Sequence, residues 1–264
     1  MTLDETAGRL LRARLDAAPR PGDADLAAML RLLAKWRSQK IANTIVARQG
    51  STVQSGPFAG LVLGAHGTEG GHAPRLLGCY EQQLHPHLER LIARGFGRVV
   101  NIGCADVYYA VGLARRMPQA EVVARDTSPA AQAACGATAA ANGVAARIAI
   151  GGEIGHAELA ALAGPNTWLL VDIEGAEDSL LDPAAAPALA QSTILVECHE
   201  GPRPGITQRL NARFAPTHRV IQVEAALDAV PLPAWMGGLS HLDQLLAAWE
   251  WRAEPTPWLV LEPA

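Results

Sequence analysis

The stretch Arg98-Val99-Val100-Asn101-Ile102-Gly103-Cys104-Ala105-Asp106, followed by Val107, Tyr108 and Tyr109, decides the fold. A short apolar run breaks at a glycine and leads into a helical pattern, which reads as strand, tight turn, helix. The same alternation continues downstream. Apolar runs at Glu121 to Ala124, Ile148 to Ile150, Thr167 to Val171 and Thr193 to Glu197 are separated by helical stretches such as Val107 to Arg116 and Pro129 to Ala141. Continuously apolar strands joined by helices are the pattern of a parallel sheet covered on both faces. Residues 97–200 are therefore expected to form a doubly wound α/β core.

Outward from that core, residues 1–50 read as two amphipathic helices. Leu10, Leu11 and Leu15 recur at helical spacing, then Leu26, Met29, Leu30, Leu33 and Trp36 do so after Pro21 and Gly22, with Gly50 as the stop. Ser51 to Gly78 is rich in Gly, Ser, Pro and His and reads as a connector with one short strand, Leu61 to Leu63. Tyr80 to Arg94 is expected to be helical, ended by Gly95. Beyond residue 200, strands are expected at Arg219 to Val223 and Pro257 to Leu261, with a helix at Leu242 to Trp249 between them. The chain divides into a helical N-terminal region and connector, 1–75, suited to a lid or a homodimer contact through Leu26, Leu30 and Leu33, and an α/β domain, 76–264.

The 264 residues carry 22 Lys+Arg against 26 Asp+Glu, a net charge of -4, so there is no basic field to hold nucleic acid or an acidic membrane surface. No apolar stretch approaches the roughly 18 residues of a membrane span, and no targeting segment is visible among the first twenty residues. Four cysteines, Cys79, Cys104, Cys135 and Cys198, form no CxxC pair and are expected to be reduced thiols in a cytoplasm. Arginine far outnumbers the two lysines, Lys35 and Lys40, a coding bias that speaks of genome composition.

The turn after the first core strand has one glycine, Gly103, where a dinucleotide site would have GxGxxG, so it has little room for a pyrophosphate. The second strand ends at Asp126, 23 residues after Gly103, where an acid can accept hydrogen bonds from both hydroxyls of a ribose. Together they suit an adenosine-type ligand without a pyrophosphate.

The segments NIGCAD (Asn101 to Asp106), DIEGAE (Asp172 to Glu177) and VECHE (Val196 to Glu200), the strand end at Asp126, and the upstream LLGCYE (Leu76 to Glu81) resemble those of class I S-adenosylmethionine-dependent methyltransferases. Within that superfamily the chain looks most like FkbM-type and related bacterial methyltransferases, over about residues 76–223. The resemblance implies a Rossmann-like, mostly parallel seven-stranded sheet whose last strand, Pro257 to Leu261, runs antiparallel. It implies S-adenosylmethionine as cofactor. Gly103, Cys104 and Ala105 would lie under its methionine part, with Asn101 at the turn, Tyr80 and Glu81 over the methionine end, and Asp126 on the ribose. Thr127 and Ser128 would sit beside the adenosine, Gly152 and Glu153 by the adenine, and Asp172 near the sulfonium. Asn101 stands where an acid is often found, and Val107 where a further glycine would be usual. The implied activity is methyl transfer to an O, N or C nucleophile of a small molecule, with sugar or natural-product hydroxyls as the hinted acceptors.

Asp172, Glu174, Glu177, Glu197, His199 and Glu200 cluster at the ends of two strands expected to be neighbours, where open α/β sheets place ligands. His199 or Asp172 is the expected base for the acceptor's proton, although helix capping by Glu174 and Glu177 competes with that reading. Asp172, Glu197 and His199 could chemically hold a divalent metal, but strand alternation accounts for much of the pattern and no metal is assigned. His85 and His87 lie on different sides of a helix and are expected at the surface, and His66 and His72 suggest no role. The loop Trp235-Met236-Gly237-Gly238 is expected to line the acceptor pocket, whereas Trp249, Trp251 and Trp258 read as packing aromatics. Alternatives are an enzyme that uses the same cofactor without methyl transfer, such as a cyclase releasing methylthioadenosine, and a catalytically silent binding protein on the same fold. A nicotinamide oxidoreductase is disfavoured by the missing glycines.

Overall fold

The computed structural model describes residues 1–64, 71–104, 107–226, 230–254 and 256–264. Seven strands form one sheet: β1 Arg98–Ile102, β2 Glu121–Arg125, β3 Ile148–Gly151, β4 Thr167–Val171, β5 Thr193–Glu197, β6 His218–Val223 and β7 Trp258–Pro263. Their order is β3-β2-β1-β4-β5-β7-β6. The first five are parallel, and β7 runs antiparallel to both β5 and β6. This is the Rossmann-like, doubly wound sheet expected from the sequence, and every expected strand in it is present to within two residues at either end.

Alternation along the strands sorts their side chains into two cores, as a pleated sheet covered on both faces requires. Val99, Val122, Trp168, Leu170 and Leu195 point into one. Val100, Val123, Leu169, Val171 and Val196 point into the other. The first core is covered by α4 His85–Arg94, α5 Tyr108–Arg116 and α6 Pro129–Ala141, and the second by α7 His156–Leu162 and α9 Ile206–Phe214, with the short α8 Glu177–Leu180 between them in sequence.

The N-terminal residues form the two expected helices, α1 Leu3–Ala17 and α2 Asp23–Gln49. A capping box starts α1, in which Thr2 and Glu5 satisfy each other's backbone N–H. Gly50, at φ 76, ends α2. Ile41, Ala42 and Ile45 of α2 join the first core, while Leu26, Leu30 and Leu33 stay exposed. No helix among the described residues is long and apolar enough to cross a membrane.

The structure departs from the sequence expectations at three places. Leu61 to Leu63 is not a strand but contributes a single bridge, Thr52 to Val62. The connector also contains a helix absent from the sequence reading, α3 His72–Leu77, bracketed by Gly71 and Gly78 in left-handed conformations. The connector does pack on the core: Phe58 is fully buried and lies so close to Gly112 of α5 that an added Cβ there would meet its ring at 2.5 Å. The expected helix from Tyr80 begins only at His85, after a 3-10 turn at Gln82–Leu84, because Glu81 adopts a left-handed φ of 51. In the C-terminal part, α10 spans His241–Ala248.

Candidate active site

In this strand order the chain moves outward from β1 to β2 and β3, then returns to β4 on the other side of β1, so the switch point lies between β1 and β4. A cavity of about 480 Å³ opens there, within the range of small-molecule sites. Gly103 forms its floor. At φ 82 the residue occupies the left-handed region, and a Cβ would lie 1.5 Å from the carbonyl oxygen of Asp172. The glycine is thus needed twice, for the turn and for the close approach of the β1 and β4 ends. Asp126 and Thr127 after β2, Gly152 and Glu153 after β3, and Asp172 after β4 complete the wall.

Asp126 lines the cavity at the end of β2. One carboxylate oxygen accepts from the backbone N–H of Ser128 at 2.8 Å, a local turn that orients the side chain. Arg125, missed by the sequence reading, flanks the cavity and is anchored by Glu158 and by the Ala149 carbonyl. His156 and Ser179, also unforeseen, line its far side.

Other expected contacts fall elsewhere. Ser128 caps α6 through the Ala131 N–H and does not line the cavity. Asn101 and Cys104 are buried beneath the turn and do not line it either. Ala105, expected under the methionine part, lies outside the described residues, as does Asp106 of the same motif. Val107 supplies a left-handed turn residue at φ 61, the conformation that the glycine usual at this place would adopt freely. For a β-branched side chain that conformation stores roughly 1–2 kcal/mol of strain.

A second, polar cavity of about 450 Å³ adjoins the first, and Asp172 and Glu174 line both. Its walls come from all parts of the chain: Arg31 and Lys35 of α2, Tyr80, His199 after β5, and Trp251 and Arg252 before β7. The loop at Trp235 to Gly238 does not contribute, contrary to expectation. It forms a 3-10 turn in which Met236 is fully buried in the core, and Trp235 packs under Arg48. Trp251, expected only to pack, lines the cavity instead, with its indole N–H donated to Ser38.

Arg252 organises the wall between the cavity and the core. It donates to Glu81, Glu197 and Glu250, and its carbonyl accepts from Arg31. Glu81 is fully buried and also accepts from the Tyr109 hydroxyl, so it is a strut behind the cavity and does not line it. Three carboxylates share one guanidinium here. Burial first, together with the neighbouring Glu197 and Glu250, pushes the Glu81 carboxyl up to about 8 despite Arg252.

At the junction of the two cavities stands His199, 7% exposed. Its Nδ1 lies 2.6 Å from Oε1 of the fully buried Glu177. Its Nε2 faces Asp172 Oδ1 at 3.6 Å, Glu174 Oε2 at 3.6 Å and Glu197 Oε2 at 3.7 Å. Burial opposes charge on the ring, but the Glu177 hydrogen bond and the surrounding carboxylates outweigh it and raise the imidazole above its ordinary value. Glu177 also accepts from the N–H groups of Ile173 and Gly175, which ties the β4 end to the β5 end. Glu200, gathered with these acids in the sequence reading, instead caps α9 through the N–H groups of Gly205 and Thr207. Burial pushes the Cys198 thiol up to about 12, away from the reactive thiolate.

No family model matches the chain, and no curated protein sequence matches it. Among solved structures, it is similar to the O-methyltransferase TomG of tomaymycin synthesis from Streptomyces achromogenes, in complex with SAM, at 16% identity over 72% of this chain and 83% of that one, TM-score 0.47. It is similar to the O-methyltransferase from Bacillus cereus, in complex with SAH, at 14% identity over 100% of both chains, TM-score 0.47. It is also similar to the C-terminal domain of precorrin-6Y C5,15-methyltransferase from Rhodobacter capsulatus, at 14% identity over 69% of this chain and 89% of that one, TM-score 0.46.

Proposed function

We propose that the chain is an S-adenosylmethionine-dependent methyltransferase acting on a small, polar acceptor. The observation that carries this reading is the cavity at the β1–β4 switch point, floored by Gly103 and flanked by Asp126. Its turn has the single glycine of an adenosine site without a pyrophosphate. In this reading Asp126 holds the ribose, Gly152 and Glu153 adjoin the adenine, and the methionine arm runs past Gly103 toward Asp172. The methyl group is then presented to the polar cavity, where the acceptor lies. Asp172 at the shared wall and His199 beside it in the polar cavity are placed to promote loss of the acceptor's proton as the methyl group arrives. Most of the rate comes from in-line positioning. A hydroxyl acceptor of sugar or natural-product type suits the polar wall of Arg31, Lys35 and Arg252.

Calorimetry with S-adenosylmethionine and S-adenosylhomocysteine tests the reading. Micromolar binding of both, lost in Asp126→Ala, is expected. Absence of binding by either ligand would overturn it. Release of methylthioadenosine in place of S-adenosylhomocysteine would show that the cofactor is consumed without methyl transfer, and binding without consumption in an acceptor screen would favour a silent binding protein.

A further inference from the structure

We infer that Asp172, Glu174 and His199 form a binding site for one divalent transition-metal ion, placed where the two cavities meet. One donor atom from each lies within 4.8 Å of the others. The two sides of the His199 ring behave differently. At Nδ1 the ring has closed to 2.6 Å on Glu177, as a charge-assisted hydrogen bond does. At Nε2 it stands 3.6 to 3.7 Å from three carboxylate oxygens and makes no hydrogen bond among the described residues. That spacing is too long for a hydrogen bond from Nε2 and is the spacing of donors that share one ion, since donors about 2.1 Å from a metal and spread tetrahedrally stand about 3.4 Å apart.

The surroundings match a metal centre in two further respects. Glu177 fixes the tautomer, holding the proton on Nδ1 and leaving Nε2 as the ligand, the carboxylate–histidine arrangement found behind metal-bound imidazoles. Glu174 holds a left-handed φ of 56, a strained conformation for a residue other than glycine, and in it the carboxylate reaches over His199. Two carboxylate oxygens and one imidazole nitrogen suit Mn, Co or Zn better than Mg or Ca. Three protein donors leave coordination positions open toward the polar cavity.

This inference rests on the proposed function only for its consequence. If methyl transfer occurs here, the metal is what Asp172 and His199 act through, and the acceptor is an oxygen compound able to bind it. The site itself is tested without cofactor or acceptor. Mn²⁺ is titrated into the purified full chain and followed by electron paramagnetic resonance, with pulsed measurement of coupling to an imidazole nitrogen. One tightly bound ion showing that coupling is expected. Glu174→Gln, whose side chain is exposed and leaves the core intact, should weaken binding at least about tenfold. His199→Gln should remove the nitrogen coupling, while Glu121→Gln on the opposite edge of the sheet should change nothing. No bound Mn²⁺ at about 1 mM, or binding unaltered by Glu174→Gln and His199→Gln, overturns the site. Cofactor binding measured separately by calorimetry keeps that outcome distinct from failure of the methyltransferase reading.

Discussion

Glu177 and His199, one at the start of α8 and the other just past β5, are joined by a 2.6 Å contact between Oε1 and Nδ1. Twenty-two residues separate them in sequence, and the contact exists because β4 and β5 are parallel neighbours whose C-terminal ends lie side by side. Glu177→Gln keeps the shape but weakens this hydrogen bond and the two to the backbone of Ile173 and Gly175. Turnover should fall about 10- to 100-fold, the usual cost of losing the group that orients a site imidazole. A chain that keeps full turnover with a normal melting temperature would show that His199 needs no orienting partner.

In the proposed site Asp126 would hold the ribose through hydrogen bonds to a charged group, worth about 1.5–3 kcal/mol. Asp126→Ala should therefore weaken S-adenosylhomocysteine roughly 10- to 150-fold in calorimetry. Among the described residues its carboxylate bonds only the Ser128 N–H, at the surface, so the melting temperature should move little.

Gly103 and Gly143 separate two reasons for glycine. Both have left-handed φ values, 82 and 69, but a Cβ on Gly103 would strike the Asp172 carbonyl oxygen at 1.5 Å while one on Gly143 would meet nothing within 4 Å. Gly143→Ala should cost only the strain, about 1–2 kcal/mol. Gly103→Ala must also push β1 from β4 and should cost several kcal/mol or prevent folding. Chemical denaturation of the two variants compares them directly, and equal losses would mean that the β1–β4 ends are not packed as described.

The raised Glu81 makes stability depend on pH. Folded, its carboxyl keeps a proton up to about 8, whereas the unfolded chain releases it near 4.5. Its contribution is complete below the lower value and is lost as pH rises through the upper one. Between them the slope is at most about 1.4 kcal/mol per pH unit, the value for one proton. Glu81→Gln, neutral throughout, should flatten that part of the profile. An unchanged slope in urea titrations from pH 5 to about 9 would show that Arg252 keeps Glu81 ionised.

The strands were legible in the sequence because each is a short apolar run bounded by turn residues, and burial on both faces leaves no other solution for such runs. Gly103, Asp126, Gly152 and Asp172 could be placed for the same reason, since in a parallel sheet the residues that end strands share one edge. Glu81, Trp251 and Glu174 were misread or only half read because their roles depend on left-handed backbone that a non-glycine residue does not announce.

The sequence by itself determined the order of strands and helices, the edge that would hold the site and the residue types available there, because local periodicity and turn chemistry specify those features. Only the tertiary structure decided which distant charges would meet. Arg31 and Lys35 of the second helix and Arg252 before the last strand reach one cavity, with Glu81 held behind it by Arg252, through long-range packing of α2 against α3 and α10. No spacing encodes that meeting, since it depends on how separately formed elements bury their apolar faces against one another.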